Sequence, residues 1–491
     1  MHIVIVGGGT AGWLAAFMLN KVQPSHKITV IESSKIGIVG AGEGSTGLLT
    51  SILDGNLFEV DFSILDFMRE TGSTLKYGIK HKDWTGPGTD YFGPLGGSDT
   101  ATSIKDYFFA LQYLEGNTHT SANLGIMYDN DYSPYNGKTF IDSSFSFHFD
   151  AHKVGQFFAK RSNATTIDAV VKSVNRNEQG FITSLDLDNN TNIEGDFFID
   201  ATGFARVLTD SKWQSYSYNL PVNSAMPFLI PSKEKFEPWT TAWAQTAGWM
   251  WQIPTTERIG CGYVFDDRFT TPDKAQEEIE TVLGHSIDPI RILKFDTGRL
   301  DKFWNKNCLA IGLSAAFAEP LEATSIHSTI VQLIKFVFDS ITETPSYNHN
   351  ESNVYQYNYD VGLMYDNFKD FLNLHYQGNR TDSEFWRYVS SGEIDTDAVK
   401  QIKDLCKYRM PTAKDFDYKF GFAGYDLWIY VLAGTNVLSK EVVKNSLILS
   451  ADKIALWKDR LSTVQQNVHK TYEFNLRYQK FMQHVLNNNS I

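Results

Sequence analysis

The sequence predicts a mixed α/β fold: a parallel βαβ unit at the N-terminus, interleaved strands through residues 1–342, and a mainly helical module over 343–491. Three observations predict it. An apolar run, His2-Ile-Val-Ile-Val6, passes without a linker into a glycine-rich turn and then into residues with helical apolar spacing. Short apolar segments that end in small residues recur at Asp200-Ala-Thr-Gly203 and Ile311-Gly-Leu-Ser-Ala315. Beyond Thr342 strand signals thin out and helical periodicity takes over. At 491 residues the chain is too long for one small core and suits two or three packed modules able to enclose a large ligand.

The first turn is Gly7-x-Gly9-x-x-Gly12. Gly7 permits a tight turn, Gly9 lets backbone approach a pyrophosphate, and Gly12 lets the helix lie close to the strand. The helix N-terminus then faces the phosphates, so Gly7, Gly9, Thr10, Ala11 and Gly12 are the expected contacts of an adenine dinucleotide. Lys27 to Glu32 reads as the second strand, and Glu32 ends it about twenty residues past the last glycine, where an acid accepts from ribose hydroxyls. Ile36 to Gly47 is a glycine-dense loop whose backbone can come close to a ligand, with Gly42 and Glu43 as candidate contacts.

Helical spacing follows from Leu48 to Glu70, then a strand from Leu75 to Lys80, then a Gly/Pro-rich excursion over Asp83 to Ser98. Ile104 to Thr139 is polar and is a candidate cover for a pocket. His148-Phe-Asp-Ala-His152 reads as a helix start. Thr165 to Val174 and Phe181 to Leu187 read as strands across a turn. A buried strand ends at Asp200, further strands fall at Met226 to Ile230, Trp249 to Ile253 and Ile259 to Phe265, and an apolar helix covers Ser328 to Ile341. In the last third, Val354 to Leu374, Asp395 to Tyr408 and Lys440 to Val485 carry helical spacing.

A formal net charge of -13 argues against a nucleic-acid or anionic-membrane surface, which needs clustered Lys and Arg. The three cysteines, Cys261, Cys308 and Cys406, are far apart and form no C-x-x-C motif, which points to a reducing cytoplasm. No apolar run is long enough to span a bilayer, and the first strand begins too early to leave room for a signal peptide. His148 and His152 have metal-like spacing but no evident third ligand, so no metal site is expected.

The cradle, Asp200 to Gly203, and Ile311 to Ala315 with Gly312 occur in the order seen in FAD-binding folds of the glutathione-reductase type, which they resemble. A closer resemblance begins at Gly248-Trp-Met-Trp-Gln-Ile-Pro254. Trp-x-Trp-x-Ile-Pro is similar to the signature of flavin-dependent halogenases of the tryptophan-halogenase group. The likeness extends to Gly7-Gly-Gly-Thr-Ala-Gly-Trp13, Lys76-x-x-x-Lys80 with Trp84, His148 to His152, Gly262-Tyr-Val, Glu319-Pro-Leu-Glu322, Arg380-Thr-Asp382 and Phe385-Trp386.

That resemblance implies a glutathione-reductase-type FAD fold with a helical substrate module. It implies FAD, used as FADH2 supplied diffusively by a separate flavin reductase, with O2 and a halide ion as co-substrates and hypohalous acid as the oxidant. Trp249 and Trp251 would form a barrier near the flavin, Lys76 would receive the oxidant, and Glu322 would stabilise the arenium cation and help remove its proton. Parity on a continuous strand puts Lys76 and Lys80 on one face and does not choose between them; the resemblance chooses Lys76. Amides near Thr324 and Ser325 match the halide site. An aromatic hydroxylase on the same fold, or a flavin-binding protein without catalysis, are the alternatives.

Departures matter here. Where the group has Glu-Ser-Thr-Gly, this chain has Glu322-Ala-Thr-Ser325, losing a hydroxyl at 323 and a glycine at 325, which suggests room for bromide or iodide. Where tryptophan-specific relatives carry a His-x-Phe pair, this chain has Gly93-Pro94-Leu95, and Arg409 to Tyr418 lacks the Tyr-Tyr pair and glutamate that hold an amino-acid head group. A small electron-rich aromatic substrate other than free tryptophan is therefore expected.

Overall fold

The computed structural model describes residues 1–37, 42–95, 109–111, 113–116, 131–141, 145–341, 347–416, 421–447 and 451–487. The expected pocket cover from Ile104 to Thr139 lies largely outside them, as do parts of the glycine-dense loop and the end of the Arg409 to Tyr418 stretch.

Strand β1 (His2–Val6) is almost wholly buried and sits inside a six-stranded sheet between β2 (Lys27–Glu32) and Phe197–Asp200, both parallel to it. Helix α1 (Thr10–Val22) makes the crossover, as the glycine spacing requires. Cys308–Ala310 extends the sheet beyond Phe197–Asp200, so three apolar strands end side by side at Gly7, Ala201 and Ile311. Their carboxyl ends define the crevice where an α/β sheet binds its ligand.

A second sheet has seven strands, four of them the antiparallel run Ser224–Pro231, Arg258–Phe265, Gly248–Pro254 and Trp239–Gln245. Gly78–Lys82 joins its edge parallel to Trp239–Gln245, and Asp90–Pro94 follows. The expected strand from Leu75 to Lys80 is two strands. Thr74–Lys76 pairs with Ser146–Phe149 in a three-stranded sheet, and the chain changes partner at Tyr77. Parity therefore fails across Tyr77: Lys76 is 1 % exposed, whereas Lys80 is partly exposed and ion-paired with Asp90 at 2.7 Å.

His148 also departs from expectation. It lies on the strand Ser146–Phe149, and the helix Ala151–Lys160 starts after Asp150, whose carboxylate accepts from the amides of His152 and Lys153. The two histidines share no helix face. The strand expected from Thr165 to Val174 divides at Ala169 and Val170. Thr165–Asp168 pairs with β2, and Val171–Arg176 pairs with Ile182–Leu187.

Helix Thr324–Ile334 begins four residues before the predicted start, then continues as a π-helical turn over Lys335–Ser340. Glu351–His375 is one long helix, and the stretch from Lys440 to Val485 is three. The C-terminal helices insert side chains into the strand-rich part. Asp366 pairs with Arg299, and Arg380 donates to the carbonyl of Asp83. Among the described residues no helix is long and apolar enough to cross a membrane.

Candidate active site

The N-terminal turn has the form a dinucleotide needs. Gly9 caps α1 with no side-chain hydrogen bond, so the first amides of the helix keep free hydrogens. A Cβ on Gly9 would meet nothing within 4 Å, which leaves space for a phosphate against those amides. The flanking glycines are tight instead. Gly7 has φ +115° with the oxygen of Ala201 2.2 Å from the place a Cβ would occupy, and at Gly12 the oxygen of Gly7 is 1.9 Å away. These residues fit an FAD pyrophosphate.

The remaining predicted contacts divide. Glu32 accepts from Trp13 Nε1 through Oε2 at 3.1 Å. Thr10 spends its hydroxyl on the carbonyl of Ala151 at 3.1 Å, so only its amide faces the turn. Asp200 accepts from Thr202 Oγ1, Ser314 Oγ and the amides of Thr202, Leu208 and Thr209. Both its oxygens are committed to the protein, and Asp200 ties together the second and third junctions. Gly203 faces open space, and Gly312 lies against Ala11 of α1.

From the crevice a cavity runs along the second sheet, lined by Gly42, Glu43, Lys76, Trp251, Phe317 and Ser325 among others. Burial, with Asp150 adding to it, pushes the Glu43 carboxyl up to about 7. Trp251 lies across Gly262, where a Cβ would come within 2.1 Å of the indole. Trp249 stands one layer behind, its ring centroid 6.4 Å from that of Trp251. The two tryptophans do share a side of the strand, but only Trp251 reaches the cavity. Trp249 is buried and donates from Nε1 to Glu319 Oε2 at 2.9 Å, an oxygen that also accepts from Tyr376 at 2.5 Å. Burial raises Glu319 to about 7 against the pull of those donors.

Lys76 forms the far wall of this cavity. Its Nζ donates to the carbonyl of Ser45 at 3.3 Å, and Gly44 leaves it room, since a Cβ there would be 3.1 Å from Nζ. Burial brings the amine down to about 8, with the negative charge of Glu322 acting the other way. Among the described residues Lys76 and Glu322 are not ion-paired.

Glu322 lines a second, smaller cavity together with Pro94, Leu95, His327, Phe368 and Phe371. Ile79 borders both cavities. The Glu322 carboxylate is held by two histidines absent from the sequence reading: His375 Nε2 is 2.9 Å and His81 Nε2 3.1 Å from the same oxygen, Oε1. Burial works to raise this acid, but the two imidazoles outweigh it and bring it down to about 2. Nothing in the sequence pattern joins His81 to His375, which lie 294 positions apart.

The loop after Glu322 corrects a second expectation. Ser325 is in the first turn of the helix Thr324–Ile334, and the left-handed residue is Ala323, with φ +54°. The glycine freedom expected at 325 is thus not needed there, because the helix has already begun. Ala323 offers no side-chain cap, so the amides of Thr324 and Ser325 remain available to an anion.

Residues 2–450 match the family model described as tryptophan halogenase. The tryptophan 6-halogenase ThaL of Streptomyces albogriseolus is 31% identical over 457 residues, covering 83% of this chain and 82% of that protein. The tryptophan 7-halogenase RebH of Lentzea aerocolonigenes is 30% identical over 420 residues, covering 78% of each. The solved structure of a flavin-dependent halogenase from Xanthomonas campestris is similar with a TM-score of 0.84 at 26% identity, over 99% of this chain and 98% of that one.

Proposed function

Because the chain belongs to the tryptophan halogenase family and is therefore an enzyme, we propose that it is an FADH2- and O2-dependent halogenase of a small electron-rich aromatic compound. One observation carries this reading: Lys76 opens on the large cavity, Glu322 on the small one, and Ile79 separates them. Reduced FAD, held by Gly7 to Gly12 and the cavity beyond, would supply hypohalous acid with oxygen and a halide ion. Everything after that falls to the protein.

Trp251 closes the cavity wall, and Trp249, braced by Glu319 and Tyr376, fixes it from behind. The buried amine of Lys76 receives the oxidant, either by hydrogen bonding or as a haloamine. Its depressed basicity keeps a substantial neutral fraction near neutral pH. The aromatic carbon then gains the halogen, its C–H proton leaves toward Glu322, and the oxidant's oxygen leaves as water. Its charge stabilises the cationic intermediate until that proton leaves. The halide would rest on the amides of Thr324 and Ser325. Ala323, which lines the cavity without a hydroxyl, favours bromide or iodide over chloride. FADH2 would come from a separate, diffusing flavin reductase.

The small cavity favours a neutral, flat ring. Pro94, Leu95, Phe368, Phe371, Phe422 and Leu427 line it, and no lysine or arginine does among the described residues. Burying the carboxylate of a free amino acid there would be costly. The test is reduced FAD, O2 and equimolar halides with a panel of phenols, indoles and anilines beside free tryptophan, read by mass spectrometry. Brominated or iodinated non-amino-acid product is expected. Oxygenated product alone would support a hydroxylase, and efficient regioselective tryptophan chlorination would overturn the substrate and halide assignments.

A further inference from the structure

His81, Glu322 and His375 come from the strand Gly78–Lys82, a 3-10 turn and the end of the long helix Glu351–His375, and they bring one ligand atom each to within 4.8 Å of one another. Both histidines are fully buried. We propose that these three side chains form a binding site for a divalent transition-metal ion of the zinc type, and that an ion bound there blocks the halogenation chemistry at Glu322.

The hydrogen positions carry the argument. His375 Nδ1 lies 3.0 Å from the carbonyl of Phe371, which can only accept, so Nδ1 bears the hydrogen. With its ring neutral, Nε2 then turns its lone pair toward Glu322 Oε1 at 2.9 Å, a contact closed by a proton or a metal ion between the two atoms. His81 Nε2 lies 3.1 Å from the same oxygen without completing a hydrogen bond, and its Nδ1 also has no partner. A buried imidazole with two unused nitrogens is uncommon. Three electron pairs therefore converge on one point. A histidine that ligates metal characteristically donates its other N–H to a backbone carbonyl, and His375 does so.

Two imidazoles and one carboxylate are a donor set that zinc accepts, with a fourth position left open. An ion about 2.1 Å from each donor spaces them roughly 3.4 Å apart, so the two short contacts to Oε1 open by only a few tenths of an ångström. The rings can hold that geometry. His81 stacks flat on Tyr91, centroids 4.3 Å apart and 6° between planes, and His375 is wedged edge-on against Phe371 and Trp84. The site adjoins the smaller cavity, which Glu322 lines. Metal and aromatic substrate would then exclude each other.

The binding claim rests on this geometry; only the inhibition claim rests on the halogenase reading. The experiment treats them separately. The full-length protein is titrated with Co2+, and with Zn2+ against a chromophoric chelator, in wild type, His81→Phe and His375→Gln. One tight equivalent with the visible bands of four-coordinate cobalt is expected in wild type, weakened at least tenfold in each variant. No tight equivalent, or equal affinity in a variant that keeps the wild-type melting temperature, overturns the site. Separately, Zn2+ should inhibit product formation by wild type reversibly with EDTA and raise KM for the aromatic substrate. Tight binding without any inhibition would remove the second claim and leave the first.

Discussion

The two cavities that meet at Ile79 differ in what builds them. At the large one backbone sets part of the shape: Gly42 and Gly44 line it and Gly262 admits Trp251, beside apolar side chains such as Ile253, Val264 and Leu293. The small one is shaped by side chains from distant segments, Pro94 and Leu95 from one edge strand, Phe368 and Phe371 from a long helix, and Glu322 between. Backbone-built space suits a cofactor shared by many enzymes, because it depends little on side-chain identity. Side-chain-built space can change its occupant by substitution alone. The departures from the family pattern fall at both cavities, Ala323 and Ser325 on the first, Pro94 and Leu95 on the second.

Perturbing the residues at the junction should separate the two. Lys76→Ala is expected to lower halogenated product by at least about 10³-fold, since it removes the group that receives the oxidant. Glu322→Gln keeps shape and loses charge; product should fall about 10² to 10⁴-fold, as for loss of a general base or an electrostatic stabiliser. Either variant should bind FAD as wild type does, measured by flavin fluorescence. Weakened binding in both would mean that the cavities are one site.

The pH dependence is a gentler probe. Lys76 is lowered to about 8 and Glu322 to about 2, so product formation in single turnover should rise through pH 8 with no acid limb from Glu322. The same shift makes a stability statement: the unfolded chain binds the lysine proton more tightly, so this group's contribution to stability increases as pH rises from about 8 toward 10.5. Denaturant midpoints of wild type and Lys76→Met across that window would check it, the variant losing the slope.

Trp249→Phe tests the layer behind the wall. It takes one donor away from the buried Glu319 carboxyl, costing about 1–3 kcal/mol of stability by chemical denaturation, with flavin affinity little changed. The smallest effect belongs to Lys80→Ala. Its ion pair with Asp90 is partly exposed, worth less than about 1 kcal/mol, and product formation should stay within about twofold of wild type.

The first cavity was legible from sequence because its determinants are local: Gly7 to Gly12 sit in one turn, and Trp249 and Trp251 are neighbours on one face. Two things were not. The strand break at Tyr77 comes from a change of pairing partner, which no residue type announces, and it separates Lys76 from Lys80 more decisively than any pattern. The histidines on Glu322 are set by the return of a helix that ends 294 positions after His81. Likewise Asp200 looked like a cofactor contact because it ends a strand, whereas its oxygens are saturated by amides and hydroxyls gathered from Thr202 to Ser314.

The central claim is that oxidant is made in one cavity and used across Lys76 in the other. It is tested most directly by trapping hypohalous acid with a soluble thioether in Lys76→Ala and wild type under identical reduced flavin, oxygen and bromide. Trapped oxidant in the variant at the wild-type rate, with aromatic product lost, is the predicted result. Product formed by the variant at the wild-type rate would contradict it.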